Sequence, residues 1–189
     1  MTEKLSTGQL IYAYANGYFP MADDEEGGEI FWHRPEKRGV IPLNEFHVSK
    51  NMRRLWRSHS YDLRINTAFE EVVRACSERS TTWINEEIVG AYTELSEMGY
   101  AASFEVWKKG KLVGGLYGVS MGRAFFGESM FSRETNTSKL ALIFLVEYLN
   151  KNDFMLLDTQ YLNDHLKQFG AREISDEKYM ALLDKALGK

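Results

Sequence analysis

Residues 102–130 read ASFEVWKKGKLVGGLYGVSMGRAFFGESM, and this stretch decides the fold. Its apolar residues recur with a period of two, the repeat of a strand whose alternate side chains share a face. Lys109-Gly110 and Met121-Gly122 interrupt the alternation where a chain reverses direction. The pattern predicts three strands, over 102–108, 111–120 and 123–130, joined as an antiparallel meander. Ser138 to Asn150 follows with Leu140, Leu142, Ile143, Phe144, Leu145 and Val146, apolar all round, which predicts a buried helix. The short apolar run 154–157 reads as a buried strand ending at Asp158. A short helix near 161–168, a strand near 171–174 and a helix capped by Ser175 close the chain.

Working toward the N-terminus, the period changes to that of helices. Leu10, Ile11, Tyr14 and Ala15 lie at helical spacing before Gly17, a good C-terminal stop. Further helices are predicted over 48–58, 67–77 and 85–97, the last with Asn85 as N-cap and Gly99 as stop. Pro20, Pro35 and Pro42, all the prolines of the chain, punctuate the stretch between, which therefore reads as turns rather than long elements. The whole is an α+β order in which the strand ending at Asp158 can be inserted beside the meander. That order is compatible with an acyltransferase-type sheet of the N-acetyltransferase kind, although a fold alone assigns no reaction.

Composition narrows the class. With 11 Phe, 10 Tyr and 4 Trp in 189 residues, the chain has too much to bury for a disordered protein. The single Cys76 excludes an internal disulfide and a cysteine-based zinc site. No apolar run reaches membrane-spanning length, and Met1 to Leu5 carries no apolar leader segment, so the cytoplasm is the expected compartment. A net charge of -4 argues against nonspecific coating of nucleic acid. The average conceals an asymmetry: residues 31–64 carry +5 and the remainder -9. Within that basic segment, Lys50, Arg53, Arg54 and Arg57 share one helical face, with Val48, Met52, Leu55, Trp56 and His59 on the other. Such a row is either solvated surface or a seat for a polyanion, and its concentration against an acidic background favours the polyanion.

Several chemistries are excluded. His33, His47, His59 and His165 lie too far apart for a paired zinc motif. Gly127-Glu128-Ser129-Met130-Phe131 lacks the final glycine of a nucleophile elbow and ends a strand instead of opening a helix. No phosphate-binding glycine loop is present, and residues 132–139, SRETNTSK, lack the glycines that cradle coenzyme A. What remains is a pair of acidic positions. Alternate residues of a strand share a face, so Glu128 is expected on one side with Phe126 and Met130, among apolar neighbours where a free carboxylate is costly. Asp158 either caps the helix near Tyr161 or faces a crevice with Gln160, two residues on and within hydrogen-bonding reach.

At these residues the chain resembles the leucyl/phenylalanyl-tRNA-protein transferase family. The resemblance rests on Ala15-Asn16-Gly17-Tyr18-Phe19-Pro20-Met21, Phe31-Trp32, Phe46-His47-Val48-Ser49, Thr82-Trp83-Ile84 and Glu105-Val106-Trp107. It continues through Leu112 to Val119, Phe126 to Ser132, Ser138-Lys139, Leu157-Asp158-Thr159-Gln160, His165-Leu166 and Gly170-Ala171. It implies a small helical and irregular N-terminal domain, placed at 1–62, and an N-acetyltransferase-like (GNAT-like) catalytic domain at 63–189. It implies transfer of Leu, Phe or sometimes Met from aminoacyl-tRNA to the α-amine of proteins beginning with Arg or Lys, the N-end rule mark for degradation. An aminoacyl ester is already activated, so this chemistry asks for no metal, nucleotide or coenzyme A, only alignment of amine and ester.

On that reading Asp158 and Gln160 are the catalytic pair, with Asp158 orienting the attacking amine and helping its proton leave through Gln160 as intermediary. An apolar pocket of Leu116, Phe125, Met130, Leu145, Leu149 and Leu157, with Trp83 near its mouth, takes the transferred side chain. Glu128 is an acidic contact near the substrate or holds the site's shape, and the Lys50 to Arg57 face holds the tRNA. The rival readings are a coenzyme A-dependent N-acyltransferase on the same fold and a tRNA-binding module without catalysis.

Overall fold

The structure, a computed structural model, describes residues 5–22, 29–78 and 82–189. Its elements in chain order begin with α1 (Thr7–Ala15), β1 (Phe19–Ala22), β2 (Ile30–His33), β3 (Lys37–Val40), a 3-10 turn (Leu43–Glu45), α2 (Lys50–Arg57) and β4 (Asp62–Ile65). They continue with α3 (Phe69–Ser77), α4 (Glu86–Glu97), β5 (Ala101–Lys108), β6 (Lys111–Met121), β7 (Ala124–Ser132) and α5 (Thr137–Lys151). The chain closes with β8 (Leu156–Gln160), α6 (Asp164–Lys167), β9 (Arg172–Ser175) and α7 (Asp176–Leu187). The period-two stretch folds as the predicted meander: β5, β6 and β7 pair antiparallel in sequence, and Lys109, Gly110 and Gly122 take positive φ at the two reversals. The predicted N-caps are also in place, Asn85 accepting from the Ile88 N–H and Ser175 from the Lys178 N–H.

One seven-stranded sheet, ordered β4-β5-β6-β7-β8-β3-β9, carries the molecule, and β1 and β2 form a separate hairpin. β7 and β8 are parallel, so the chain must cross over the sheet between them, and the apolar α5 makes that crossover. Four strands, β1 to β4, are missing from the sequence reading, and of these β3 lies in the interior of the main sheet. Lys37-Arg38-Gly39-Val40 follows Pro35 and looks like a charged turn, yet it pairs antiparallel with both β8 and β9. The sheet therefore runs across the boundary expected at residue 62, with β3 in its interior and β4 on its far edge.

Two hydrophobic clusters lie on opposite faces of the sheet. Leu10 and Tyr14 of α1, Val72 and Val73 of α3, Ile88 and Tyr92 of α4, and Tyr179 and Leu183 of α7 pack in one. Leu140 to Leu149 of α5, Met52 of α2, and Leu166 and Phe169 around α6 pack in the other. The α5 prediction holds for Leu140, Leu142, Ile143, Leu145 and Val146, which are buried, while Phe144 is half-buried. Among the described residues no helix is long and apolar enough to cross a membrane.

A buried carboxylate anchors the edge of this arrangement. Glu105 of β5 accepts hydrogen bonds from the Thr67 N–H (2.8 Å) and hydroxyl, the Ala68 N–H (2.9 Å), Ser103 Oγ (2.8 Å) and Trp107 Nε1 (2.9 Å). It supplies the cap that α3 lacks, since Ala68 at its N-cap has no side chain to offer. Burial works to raise the Glu105 pKa, but the bonds from Thr67, Ala68, Trp107 and Ser103 outweigh it and hold the group below the ordinary glutamate value. Glu105→Gln, which turns an amide toward this ring of donors, is expected to cost about 1–3 kcal/mol in urea unfolding at pH 7. The depressed carboxylate stabilises the fold above its unfolded pKa and loses that contribution as pH falls through its folded value. The gap between variant and wild type should therefore close on acidification. An equal urea midpoint at pH 7 would remove Glu105 as an anchor.

Candidate active site

β7 and β8 pair at only three positions, Ala124 with Leu156, Phe125 with Leu157 and Phe126 with Asp158, and then part. Each strand holds one extra residue where they separate. On β7, Gly127 stands opposite Gly118 and Ser129 opposite Tyr117, so Glu128 has no residue across from it. On β8, Asp158 stands opposite Val40 and Gln160 opposite Gly39, so Thr159 is the extra one. Such bulges bend a strand and end its pairing. Glycine is required at both positions facing them. A Cβ on Gly118 would collide with the Phe126 carbonyl oxygen and the Phe125 ring, and one on Gly39 would come within 2.9 Å of Thr159 Oγ1.

The bulge on β7 corrects the expectation that Phe126, Glu128 and Met130 share a face. Phe126 packs in the α3/α4 cluster and Met130 against the α5 cluster, because one extra residue reverses the alternation beyond it. Glu128 sits at the reversal and lines a cleft of about 400 Å³ between the parted strands and α5. Of the side chains expected to build an apolar pocket, Leu116, Met130, Leu145 and Leu157 line this cleft, joined by Leu142. Phe125 and Leu149 do not: both are fully buried in the core below, Phe125 edge-on to Phe104. Trp83 is also absent from the cleft wall. It lies in the segment leading into α4 and packs against the cluster on the other face of the sheet. The cleft's opposite wall is polar, with Thr159, Asn163 and His165 coming from the β8–α6 segment.

Asp158 lies behind the cleft, with 0% of its surface exposed. Its carboxylate accepts from Arg38 Nε (2.9 Å) and Nη2 (2.7 Å), Tyr179 Oη (2.7 Å) and the Gln160 backbone N–H (2.8 Å). Arg38, 1% exposed, is clasped between the rings of Phe19 and Tyr179, each 4.5 Å from its guanidinium carbon, and donates from Nη1 to the Gly17 carbonyl (2.8 Å). Burial, the largest single influence, works to lower the Arg38 pKa, and the charge and hydrogen bonds of Asp158, with Tyr179 and Tyr14, together raise it above the ordinary arginine value. The helix near 161 begins instead at Asp164 and is capped by Asn163, so Asp158 is no N-cap.

Asp158 and Gln160 are thus hydrogen-bonded, but through the Gln160 backbone. That bond helps hold Gln160 at φ 59°, a left-handed conformation uncommon for a non-glycine residue. The Gln160 side chain turns to Glu128, its Nε2 donating to Oε1 at 2.9 Å. Tyr14 Oη donates to the same oxygen at 2.6 Å, and Tyr92 Oη lies 3.3 Å from Oε2. Burial raises the Glu128 pKa to about 7, opposed by the bonds from Tyr14 and Gln160 and reinforced by the Asp158 charge. Tyr14, Tyr92, Tyr179 and Arg38 are functional neighbours that the sequence reading missed. The available signal was a tyrosine on a helix's apolar stripe, because a buried phenol needs a hydrogen-bond partner.

The basic row is a real surface feature. Ser49 caps α2, Met52 turns inward onto the α5 cluster, and Lys50, Arg53, Arg54 and Arg57 are exposed around one shallow depression. None of the four makes an ion pair among the described residues. α2 rests on α5, the helix whose first turn brings Ser138 to the cleft.

A parallel strand pair opened over an apolar cleft, with the crossover helix beneath, is the N-acetyltransferase-like α+β fold. The crystal structure of FemX shares it, with a TM-score of 0.58 at 12% identity over 89% of this chain and 66% of that one. A conserved protein of unknown function from Bacteroides thetaiotaomicron VPI-5482 superposes with a TM-score of 0.50 at 12% identity, over 93% of this chain and 61% of that one. Sequence comparison is more specific. The family model for leucyl/phenylalanyl-tRNA protein transferase matches residues 40–184, and the model for that family's N-terminal domain matches residues 3–36. A leucyl/phenylalanyl-tRNA--protein transferase from Paramagnetospirillum magneticum (strain ATCC 700264 / AMB-1) is 52% identical over 189 residues, spanning 98% of this chain and 90% of the relative. The chain belongs to the leucyl/phenylalanyl-tRNA protein transferase family and is a transferase.

The buried pair makes Asp158→Asn a stability variant. Leaving the Arg38 charge without its partner is expected to cost about 3–5 kcal/mol in denaturant unfolding. The double variant Arg38→Met/Asp158→Asn should recover part of that loss. If Asp158→Asn unfolds at the wild-type denaturant concentration, the pair does not hold the fold.

Proposed function

We propose that this protein moves a leucyl, phenylalanyl or methionyl group from aminoacyl-tRNA to the α-amine of proteins that begin with Arg or Lys, marking them for degradation in the cytoplasm. The observation that carries the reading is the cleft itself. Its floor of Leu116, Met130, Leu142, Leu145 and Leu157 suits an apolar side chain unbranched at Cβ, and Glu128 stands at its edge with Gln160 bonded to it. An apolar pocket separates side chains differing by one methylene by only about 1–3 kcal/mol, in keeping with several accepted residues.

The amine nitrogen attacks the ester carbonyl carbon, the C–N bond forms, and the bond to the ribose oxygen breaks. One proton leaves the amine and one joins the ribose oxygen. Gln160 Nε2 is committed to Glu128, so the amide's Oε1 is the end that receives an N–H of the incoming amine. Glu128 takes the proton, its pKa near about 7 suiting transfer at neutral pH, and returns it to the leaving oxygen. Asp158 acts from behind, as a positioning residue that holds Gln160 and Arg38 in place. The exposed Lys50, Arg53, Arg54 and Arg57 hold tRNA phosphates, and the acidic remainder of the molecule attracts a cationic N-terminal residue.

Labelled Leu-tRNA incubated with a peptide beginning with Arg, and with the same peptide acetylated, tests the reaction. Transfer is expected to the free amine only, and no transfer with intact Leu-tRNA would overturn the reading in favour of a tRNA-binding module. The rate should rise with pH through about 7 as Glu128 ionises. Glu128→Gln should lose that limb and about 10²-fold in kcat, keeping the limb of the amine itself near about 7.7–8.0. A wild-type pH profile in Glu128→Gln would remove Glu128 as the base. Arg53→Glu/Arg57→Glu should weaken tRNA binding and reduce the slope of log K against log salt by about 1 for each phosphate no longer neutralised. An unaltered slope would leave this face as ordinary surface.

A further inference from the structure

On the polar wall of the cleft, two side-chain atoms are buried without a hydrogen-bond partner among the described residues, Thr159 Oγ1 and His165 Nε2. Neither has a part in the proton transfer described above. The surroundings of His165 determine which hydrogen its ring carries. Lys139 Nζ donates to Gln168 Oε1 at 2.9 Å, which fixes the orientation of that amide. Gln168 Nε2 then donates to the His165 carbonyl at 2.7 Å and lies 3.5 Å from His165 Nδ1. An amide nitrogen has no lone pair to offer, so Nδ1 faces it as an acceptor and the ring proton of the neutral imidazole is on Nε2. Burial, with the nearby Lys139 charge, lowers the His165 pKa and keeps the ring neutral. The Phe169 ring packs edge-on against the imidazole, 5.8 Å between centroids, and holds its orientation.

The result is an oriented N–H donor, neutral and partnerless, on the wall across from the apolar floor. A donor left unmatched in a buried position is costly to keep, and its natural complement is an acceptor brought by the ligand. We propose that His165 Nε2–H binds an oxygen at the aminoacyl-ribose end of the donor substrate, and so fixes the ester once the side chain has entered the apolar floor. A neutral N–H suits a carbonyl or hydroxyl oxygen and discriminates against the α-ammonium group of the same amino acid. This role rests on the transferase reading, and it concerns binding of the aminoacyl-tRNA rather than of the acceptor protein.

Three substitutions test it in the full-length protein. Gln at this position can present its amide nitrogen near where Nε2 stands, Asn is too short to do so, and Phe keeps the ring without a donor. His165→Phe and His165→Asn are expected to raise KM for Leu-tRNA about tenfold with KM for an Arg-peptide unchanged, while His165→Gln recovers much of the loss. Thermal melts of the three variants check folding, and the Asn-against-Gln comparison carries the test if the Phe variant melts early. Repeating the series with leucyl esters of adenosine and 2′-deoxyadenosine distinguishes the acceptor. If it is the hydroxyl, the deoxy donor and His165→Phe give no further loss together, and if it is the carbonyl their effects multiply. Wild-type KM for Leu-tRNA in His165→Phe, or equal values in the Asn and Gln variants, would overturn the proposal and leave the transferase reading intact. Absence of transfer by the wild-type protein would instead remove that reading.

Discussion

The pairing of Arg38 with Asp158 is the constraint on which the rest of the structure depends. Two opposite charges with essentially no exposed surface are tolerable only when paired and hydrogen-bonded, and here each side-chain nitrogen of Arg38 and each carboxylate oxygen of Asp158 has a partner. Satisfying Asp158 requires Arg38 from β3, Tyr179 from α7 and the backbone of Gln160, and satisfying Arg38 also requires the Gly17 carbonyl after α1. A single ion pair thereby ties the N-terminal segment, the centre of the sheet and the last helix to one point. It explains why β3, with little apolar content of its own, is drawn into the sheet between β8 and β9.

The same point sets the geometry of the cleft. β8 bulges at Thr159 immediately after Asp158, and β7 bulges at Glu128 immediately after its last pairing with β8. Two parallel strands that would otherwise continue side by side are bent apart, and α5 fills only the lower part of the gap. Glu128 is placed at the rim by the bulge and held there by Tyr14, Tyr92 and Gln160, which arrive from two helices and the neighbouring strand. Its raised pKa is a consequence of that enclosure, and a carboxylate on a regular, solvated strand face would not have it. The geometry of the cleft comes from interrupting a sheet at two adjacent positions.

Charge is distributed with equal economy. A chain of net -4 presents an exposed basic row, without an ion-pair partner among the described residues, on α2, the helix that packs directly on α5. The basic face and the cleft are consequently mounted on two helices packed against each other. The acidic remainder keeps nonspecific affinity for nucleic acid low and leaves the basic face as the place where a phosphate backbone is favoured.

Period-two alternation marked the meander, an all-apolar run marked α5, and cap residues marked α4 and α7, because those signals arise from residues close in sequence. The same local logic put Lys50, Arg53, Arg54 and Arg57 on one helical face, and the family motifs pointed to Asp158, Gln160 and Glu128. What the sequence by itself determined is therefore the order of the elements, the composition of their faces and the family. Tertiary structure alone decided that Arg38 neutralises Asp158, that a bulge reverses the strand faces beyond Glu128, that Phe125, Leu149 and Trp83 lie away from the cleft, and that His165 faces it. Each of these depends on contacts between residues far apart in the chain. Their partners are set by burial and by the need to match every buried polar group, constraints that no local period records.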